Sequence, residues 1–331
     1  MSKLRFFGPL SYRLRGFATL NRIAVSTYIR HMFGQRIAPD WDAYTEIGIR
    51  FWRHQWRAAM THPDISRGRL ILNAVNTDTP DHYAVDTRDA PAASGLWHHP
   101  HNRHGNATLL YFHGGGYSFY GDFSRRFGAM LAHHTGADVF APDYRLTPEH
   151  PHPAQAEDAL AAWQHLSAQI PPERIVVIGD SAGGHMALML LQQLKALGAA
   201  QPALCIGLCP WTDIGARGAS LRDNDRYDLV QGWMALKFGE WLDPDGVYGR
   251  EALSPIFHDF RGLCPIYIQV GGRDILRDMV VEFADRQTRT GADVTLDEWP
   301  DMPHDFQAYD SLKAASRAAL QRITQRVRSI G

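Results

Sequence analysis

Gly179-Asp180-Ser181-Ala182-Gly183-Gly184 decides how this chain is read: the residues before it, Arg174-Ile175-Val176-Val177-Ile178, have the pattern of a buried strand, and those after it, 185–197, that of a helix. A strand that turns tightly into a helix holds the corner residue in a strained backbone conformation. Glycines two positions before and two after the corner then have a steric reason, because side chains there would meet the crossing backbone. The corner serine presents its hydroxyl at a helix N-terminus.

Outward from this turn the alternation is regular. Residues 107–112, 137–141, 175–178, 203–209, 265–270 and 294–299 read as strands, and 127–134, 153–169, 275–290 and 306–328 as further helices. Strands alternating with helices of this length predict an α/β fold, a mostly parallel sheet covered on both faces. Between 211 and 255 the alternation breaks, and this insertion, with Trp233, Phe238 and Trp241, is expected to form the second part of a helical cap.

The first part of the cap is expected at the N-terminus. Residues 1–39 hold seven basic side chains and no acidic one. Leu10, Leu14, Phe17, Leu20, Ala24 and Tyr28 fall on one helical face, which predicts a lid helix laid on the core by that face, in preference to a membrane-surface helix or a targeting peptide. A second helix at 41–60 adds Trp41, Tyr44, Trp52 and Trp56, and 64–88 and 92–99 read loosely as antiparallel strands at a sheet edge. The expected division is therefore cap at 1–60 and 211–255, and core at 61–210 and 256–331. The histidine-rich run from His98 to His104 has loop composition and no spacing that converges metal ligands, so it reads as a solvated loop.

Composition narrows the class. With 331 residues, 45% of them hydrophobic, the chain can bury a large core, and a net charge of −1 provides no field for nucleic acid. Cys205, Cys209 and Cys264 make no disulfide framework; the first two are about 13 Å apart along an extended strand, too far to bridge. A reducing, cytoplasmic setting is expected. No apolar run approaches the roughly 20 residues of a membrane helix, and no secretory segment follows Met1.

A serine hydroxyl needs a base to take its proton and a third group to orient that base. Asp274 follows the strand at 265–270, and His304 follows the strand at 294–299. Ser181, Asp274 and His304 thus each lie past a strand's C-terminal end, the edge of an open parallel sheet where ligands bind, and in the order Ser, Asp, His. Asp278, Asp301 and Asp305 compete for the acid position; the first lies within a helix and the others flank the base, where neighbouring side chains seldom face each other. His113-Gly114-Gly115-Gly116 follows the strand at 107–112, as donors to an oxyanion must, and the amides of Gly115, Gly116 and Ala182 are the expected oxyanion hole. His113 reads as an anchor of that loop, and Arg125 and Arg126 as a solvated helix start. Tyr117, Tyr120, Trp211 and Trp233 are the expected substrate-binding residues, lining an apolar pocket.

These motifs, together with Asp143-Tyr144-Arg145-Leu146-Thr147-Pro148-Glu149-His150-Pro151 and Glu157-Asp158-Ala159, resemble the hormone-sensitive-lipase-like esterases, bacterial family IV, from about Ala107 to the C-terminus. The resemblance implies an eight-stranded α/β-hydrolase core with a helical cap, Ser181 as nucleophile, His304 as base, Asp274 as its acid, and structural roles for Glu149, Glu157 and Asp158. Ile275 stands where the family usually has proline, and His152 where an aromatic is common. The implied activity is hydrolysis of short- to medium-chain, relatively apolar carboxylic esters without metal or organic cofactor. The same triad would serve a lactone, an amide or an acetylated amine. A ligand-binding receptor on this fold would be marked by a lost triad member, and all three are present. The expected partner is a small-molecule ester; a homodimer paired through the last strand is known in relatives, and a membrane-surface lipase using the basic N-terminal helix is the remaining rival.

Overall fold

A computed structural model describes residues 4–77, 83–91, 93–310 and 313–330. The chain begins with β1 (Leu4–Phe6), three helices, α1 (Leu10–Met32), α2 (Ala43–Met60) and α3 (Ile65–Leu72), and β2 (Val75–Thr77), which pairs antiparallel with β1. The main sheet then starts with an antiparallel edge, β3 (Val85–Asp89) and β4 (Gly95–Pro100). It continues as β5 (Thr108–Phe112), α4 (Asp122–Thr135), β6 (Asp138–Pro142), α5 (Ala154–Ser167), β7 (Ile175–Asp180), α6 (Ala182–Ala196) and β8 (Leu204–Leu208). Three helices interrupt it, α7 (Ser220–Asp223), α8 (Gly232–Leu242) and α9 (Arg250–Leu253), before β9 (Ile266–Gly271), α10 (Arg277–Thr290), β10 (Val294–Trp299) and α11 (Ala314–Arg328).

The eight strands are ordered β10-β9-β8-β7-β5-β6-β4-β3, all parallel except at the β4 and β3 edge. Every residue of β5, β7, β8 and β9 is buried, as expected of parallel strands covered on both faces. Leu110, Phe112, Val177 and Ile268 pack on one side with α5, α6 and α10, and Leu109, Tyr111, Val176 and Ile206 on the other with α4 and α11. The parallel order brings the ends of β5, β7, β9 and β10 to one edge of the sheet, and the loops that follow them carry the candidate residues.

Four expectations are corrected. The stretch 64–88, read as extended, opens with helix α3, which is started by the Asp64 carboxylate accepting the Ser66 N–H at 2.9 Å; residues 78–82 and 92 lie outside the described residues. His98 and His99 belong to β4, not to a solvated loop: His98 is buried and bonded to the Thr87 hydroxyl, and His99 is bonded to Asp138. The last helix starts at Ala314, because a separate short turn, Phe306–Tyr309, puts Phe306 into a pocket with Cys209 and Ala319.

The fourth correction concerns α1. It buries Gly16, Thr19, Ile23 and Thr27, leaving Leu10, Leu14, Phe17 and Tyr28 exposed. The buried face is the one with small residues, which lets the helix come close to its neighbours. A Cβ on Gly16 would stand 2.8 Å from Val75 Cγ2, and the Thr27 hydroxyl accepts a bond from Arg50 of α2 at 2.6 Å. Buried Glu46 of α2 receives His31 and the Ile37 N–H, fixing the helix's C-terminal end. The insertion reaches the N-terminal helices through α8, whose Phe238 ring lies 6.3 Å from Trp56 of α2 and 6.3 Å from Phe119.

Candidate active site

The serine turn has the geometry its glycines imply. Ser181 takes φ 52° and ψ −117°, its N–H donates to Leu208 O at 2.8 Å, and its carbonyl accepts from Trp211 at 3.0 Å. A Cβ on Gly183 would lie 1.9 Å from Phe112 O, so β5 can pass the start of α6 only because no side chain is there. Asp180, directly before the serine, accepts Tyr111 OH at 2.7 Å and the Gly114 N–H at 3.0 Å, tying the turn to the glycine loop. Burial raises its carboxyl to about 6, against the lowering effect of these donors.

His304 and Asp274 are brought together. Nδ1 donates to Asp274 Oδ2 at 3.0 Å, while Asp274 Oδ1 accepts the Leu276 N–H at 2.7 Å, so the carboxylate is held from both sides. Nε2 lies 3.3 Å from Asp305 Oδ2. Burial alone would lower the imidazole, but Asp274 and Asp305 outweigh it and hold His304 well above its ordinary value. Among the described residues no hydrogen bond joins Ser181 Oγ to His304. Each lies against the end of β8: the Ser181 N–H donates to Leu208 O, and the Sγ of the next residue, Cys209, lies within 4.8 Å of the ligand atoms of His304 and Asp305. Catalytic hydrogen bonds are often long in the free enzyme and tighten around substrate.

Of the competing acids, Asp278 caps the start of α7 through the Ala219 and Ser220 amides, and Asp301 pairs with Arg273. Asp305 corrects the expectation that neighbours in sequence do not meet. Its left-handed backbone, φ 49°, turns the side chain back toward the imidazole. Sequence reasoning missed Asp228 altogether. This buried carboxylate from the insertion accepts the Ile275 N–H at 2.8 Å, within the same 4.8 Å cluster as Asp274 and His304, and burial and the Asp274 charge raise it to about 7. Its local bond, from the Leu229 N–H, does not mark it, and the partner that brings it to the site, Ile275, is 47 positions away. Among the described residues the two sets of potential metal ligands, Cys209-His304-Asp305 and Asp228-Asp274-His304, both use this histidine, whose nitrogens already face Asp305 and Asp274.

The glycine loop is held open by backbone. Gly115 takes φ 104° and Gly116 φ 61°; a Cβ on the first would stand 2.3 Å from Phe119 O, and on the second 2.4 Å from the Phe238 ring. The Gly115 carbonyl accepts the Ser118 and Phe119 amides, while the N–H groups of Gly115, Gly116 and Ala182 bond to no acceptor among the described residues. His113 is buried, donates from Nδ1 to Gly114 O at 2.7 Å and is pushed down to about 4 by burial, which fits a neutral anchor. Arg126 departs from the solvated helix start: it is largely buried and paired with Asp310. Arg145 binds Glu157 and Asp158, and Arg69 binds Glu149, so these carboxylates brace loops.

The four expected pocket residues separate. Tyr117 is buried, and its hydroxyl donates to Nδ1 of His185 at 2.6 Å, because Nε2 of that ring must donate to Leu253 O at 2.6 Å. Trp211 is buried beside both rings. Tyr120 is half-buried against His113 with Arg125 over its face, and Trp233 is exposed on α8. No direct ring contact links Tyr120 or Trp233 to the other two among the described residues.

This geometry is that of an α/β hydrolase, and sequence comparison agrees: residues 109–308 match the model of a family described as having the alpha/beta hydrolase fold. An acetyl-hydrolase of Streptomyces hygroscopicus is 36% identical over 235 residues, 68% of this chain and 76% of that protein. An esterase of Acinetobacter venetianus is 32% identical over 226 residues, 66% and 75%. Among solved structures, an esterase from the bacterial hormone-sensitive lipase family superposes with a TM-score of 0.70 at 26% identity, covering 95% of this chain and 98% of that one. The chain belongs to the α/β-hydrolase family, among its hormone-sensitive-lipase-like esterases, and is a hydrolase.

Proposed function

We propose that this chain hydrolyses carboxylic esters through an acyl-enzyme on Ser181. The observation that carries the reading is the buried, hydrogen-bonded pair of His304 and Asp274, at the same sheet edge as a serine held at φ 52° between glycines. His304 accepts the Ser181 proton through Nε2 as Oγ attacks the ester carbonyl, and Asp274 keeps the ring oriented and stabilises the imidazolium. The amides of Gly115, Gly116 and Ala182 receive the oxyanion; one such donor contributes about 3 to 4 kcal/mol to transition-state stabilisation. The imidazolium then protonates the leaving alcohol, and water activated by the same ring releases the acid.

The cap is assigned to 1–60 and 211–255 on the packing of α8 against α2 and the glycine loop. Tyr117 and Trp211 fit an apolar wall better than Tyr120 and Trp233, and the acetyl-hydrolase relative supports small acyl groups. The test is hydrolysis of p-nitrophenyl esters of two to sixteen carbons by the protein and by Ser181→Ala. Activity confined to short and medium chains, falling about 10,000-fold or more in the variant, is expected; a folded variant that keeps its rate overturns the assignment.

A further inference from the structure

The outer face of α1 is unusual for a helix of a water-facing surface. Leu10, Leu14, Phe17, Val25, Tyr28 and Met32 are all exposed, Met32 by 82%. At about 100° per residue they fall within roughly 80° of arc, an apolar stripe along the helix interrupted by one polar side chain, the exposed Asn21. Arg13 borders it on one side and Arg15 and Arg22 on the other. Beyond Arg22, on the flank of α1 that packs toward α2, is a cavity of about 450 Å³ lined by Arg22, Arg50, Arg53, His54 and Arg57. Arg53 is paired with Asp225 and Arg50 reaches Glu46, but Arg22 and Arg57 have no ion-pair partner among the described residues. Burial, together with the charges of Arg22, Arg15 and Arg57, depresses the His54 imidazole, a sign of the positive field there.

We propose that this face docks on an anionic phospholipid surface, the α1 stripe entering the interface while the arginine-lined cavity receives headgroup phosphate. An apolar stripe flanked by arginine, on a helix lying in the interface plane, is the pattern of interfacial binding. A second copy of the chain fits the face poorly, because it would bring together two segments that each carry seven basic residues and no acidic one. The stripe is continuous with the cap and lies outside the residues assigned to ester cleavage, so docking and hydrolysis are separable.

The test is co-sedimentation of the full chain with vesicles of phosphatidylcholine alone and with roughly a third phosphatidylglycerol, at low and high salt. Binding at least tenfold tighter to the anionic vesicles, weakened by salt, is expected. Phe17→Glu/Met32→Glu should abolish it and Arg22→Ala/Arg57→Ala should remove the preference for anionic lipid, while both variants keep their melting temperature and their rate on soluble p-nitrophenyl acetate. Equal binding to both vesicles, or binding that survives the glutamates, overturns the proposal. So does a dimer that Phe17→Glu/Met32→Glu dissociates in sedimentation velocity, which would mean that a second copy covers the stripe, or stabilisation by inorganic phosphate with no vesicle binding, which would mean a soluble anion. Vesicle binding does not require catalysis, so an inactive chain that still binds would reject the esterase assignment alone.

Discussion

Helices α6 and α1 are built on opposite terms. Of the fifteen residues of α6, ten are buried; of the twenty-three of α1, four are, and these are mostly small. The first has its opening turn pressed against the end of β5 and the residues after β8 by glycines that admit backbone contact, directly after Ser181. The second touches its neighbours along one narrow face. The difference separates the part of the chain to which the proposed chemistry is assigned from the part to which surface docking is assigned.

The comparison is broken most directly through the chemistry it assigns to the core. Asp274→Asn leaves the shape and removes the charge that orients His304, and kcat should fall about 10,000-fold with little change in KM. A loss below about tenfold would mean that Asp228 or Asp305 can substitute. Next in size is a matched pair of leucine truncations. Leu188→Ala, at a fully buried position of α6, should cost about 2 to 5 kcal/mol in urea unfolding. Leu14→Ala, on the exposed face of α1, should stay within about 0.5 kcal/mol. Similar losses at both would mean that the α1 stripe is covered in solution.

A smaller effect lies in the pH profile. In the proposed mechanism His304 must be neutral to accept the serine proton, and its value is held well above the ordinary imidazole range of about 6.5. The acid limb of kcat/KM should therefore lie on the alkaline side of that value. Asp305 favours the protonated ring, so Asp305→Asn, which a left-handed backbone tolerates, should move the limb to lower pH and raise the ratio of activity at pH 6 to that at pH 8. An unmoved limb would place the Asp305 carboxylate away from Nε2 in the working enzyme.

What the sequence revealed and what it hid divide along the same line. The serine turn, the glycine loop and the positions of Asp274 and His304 were legible because each depends on a local backbone demand or on the end of a recognisable strand. The face on which α1 packs was not, because the apolar periodicity pointed to Leu10, Leu14 and Phe17 while close approach selected Gly16, Thr19 and Thr27. Asp228 was hidden because only folding brings it to Ile275, and Asp305 because its reach depends on one backbone angle. Trp233 had the right composition for a pocket wall but lies exposed on α8.

The central claim is that Ser181 is the nucleophile and that His304 activates it. Incubation with diethyl p-nitrophenyl phosphate followed by intact-mass measurement and peptide mapping tests both parts. The account predicts one diethylphosphoryl group on the Ser181 peptide, none in Ser181→Ala, and strongly slowed labelling in His304→Ala. A single adduct on another residue, or labelling of Ser181→Ala at the wild-type rate, would contradict it.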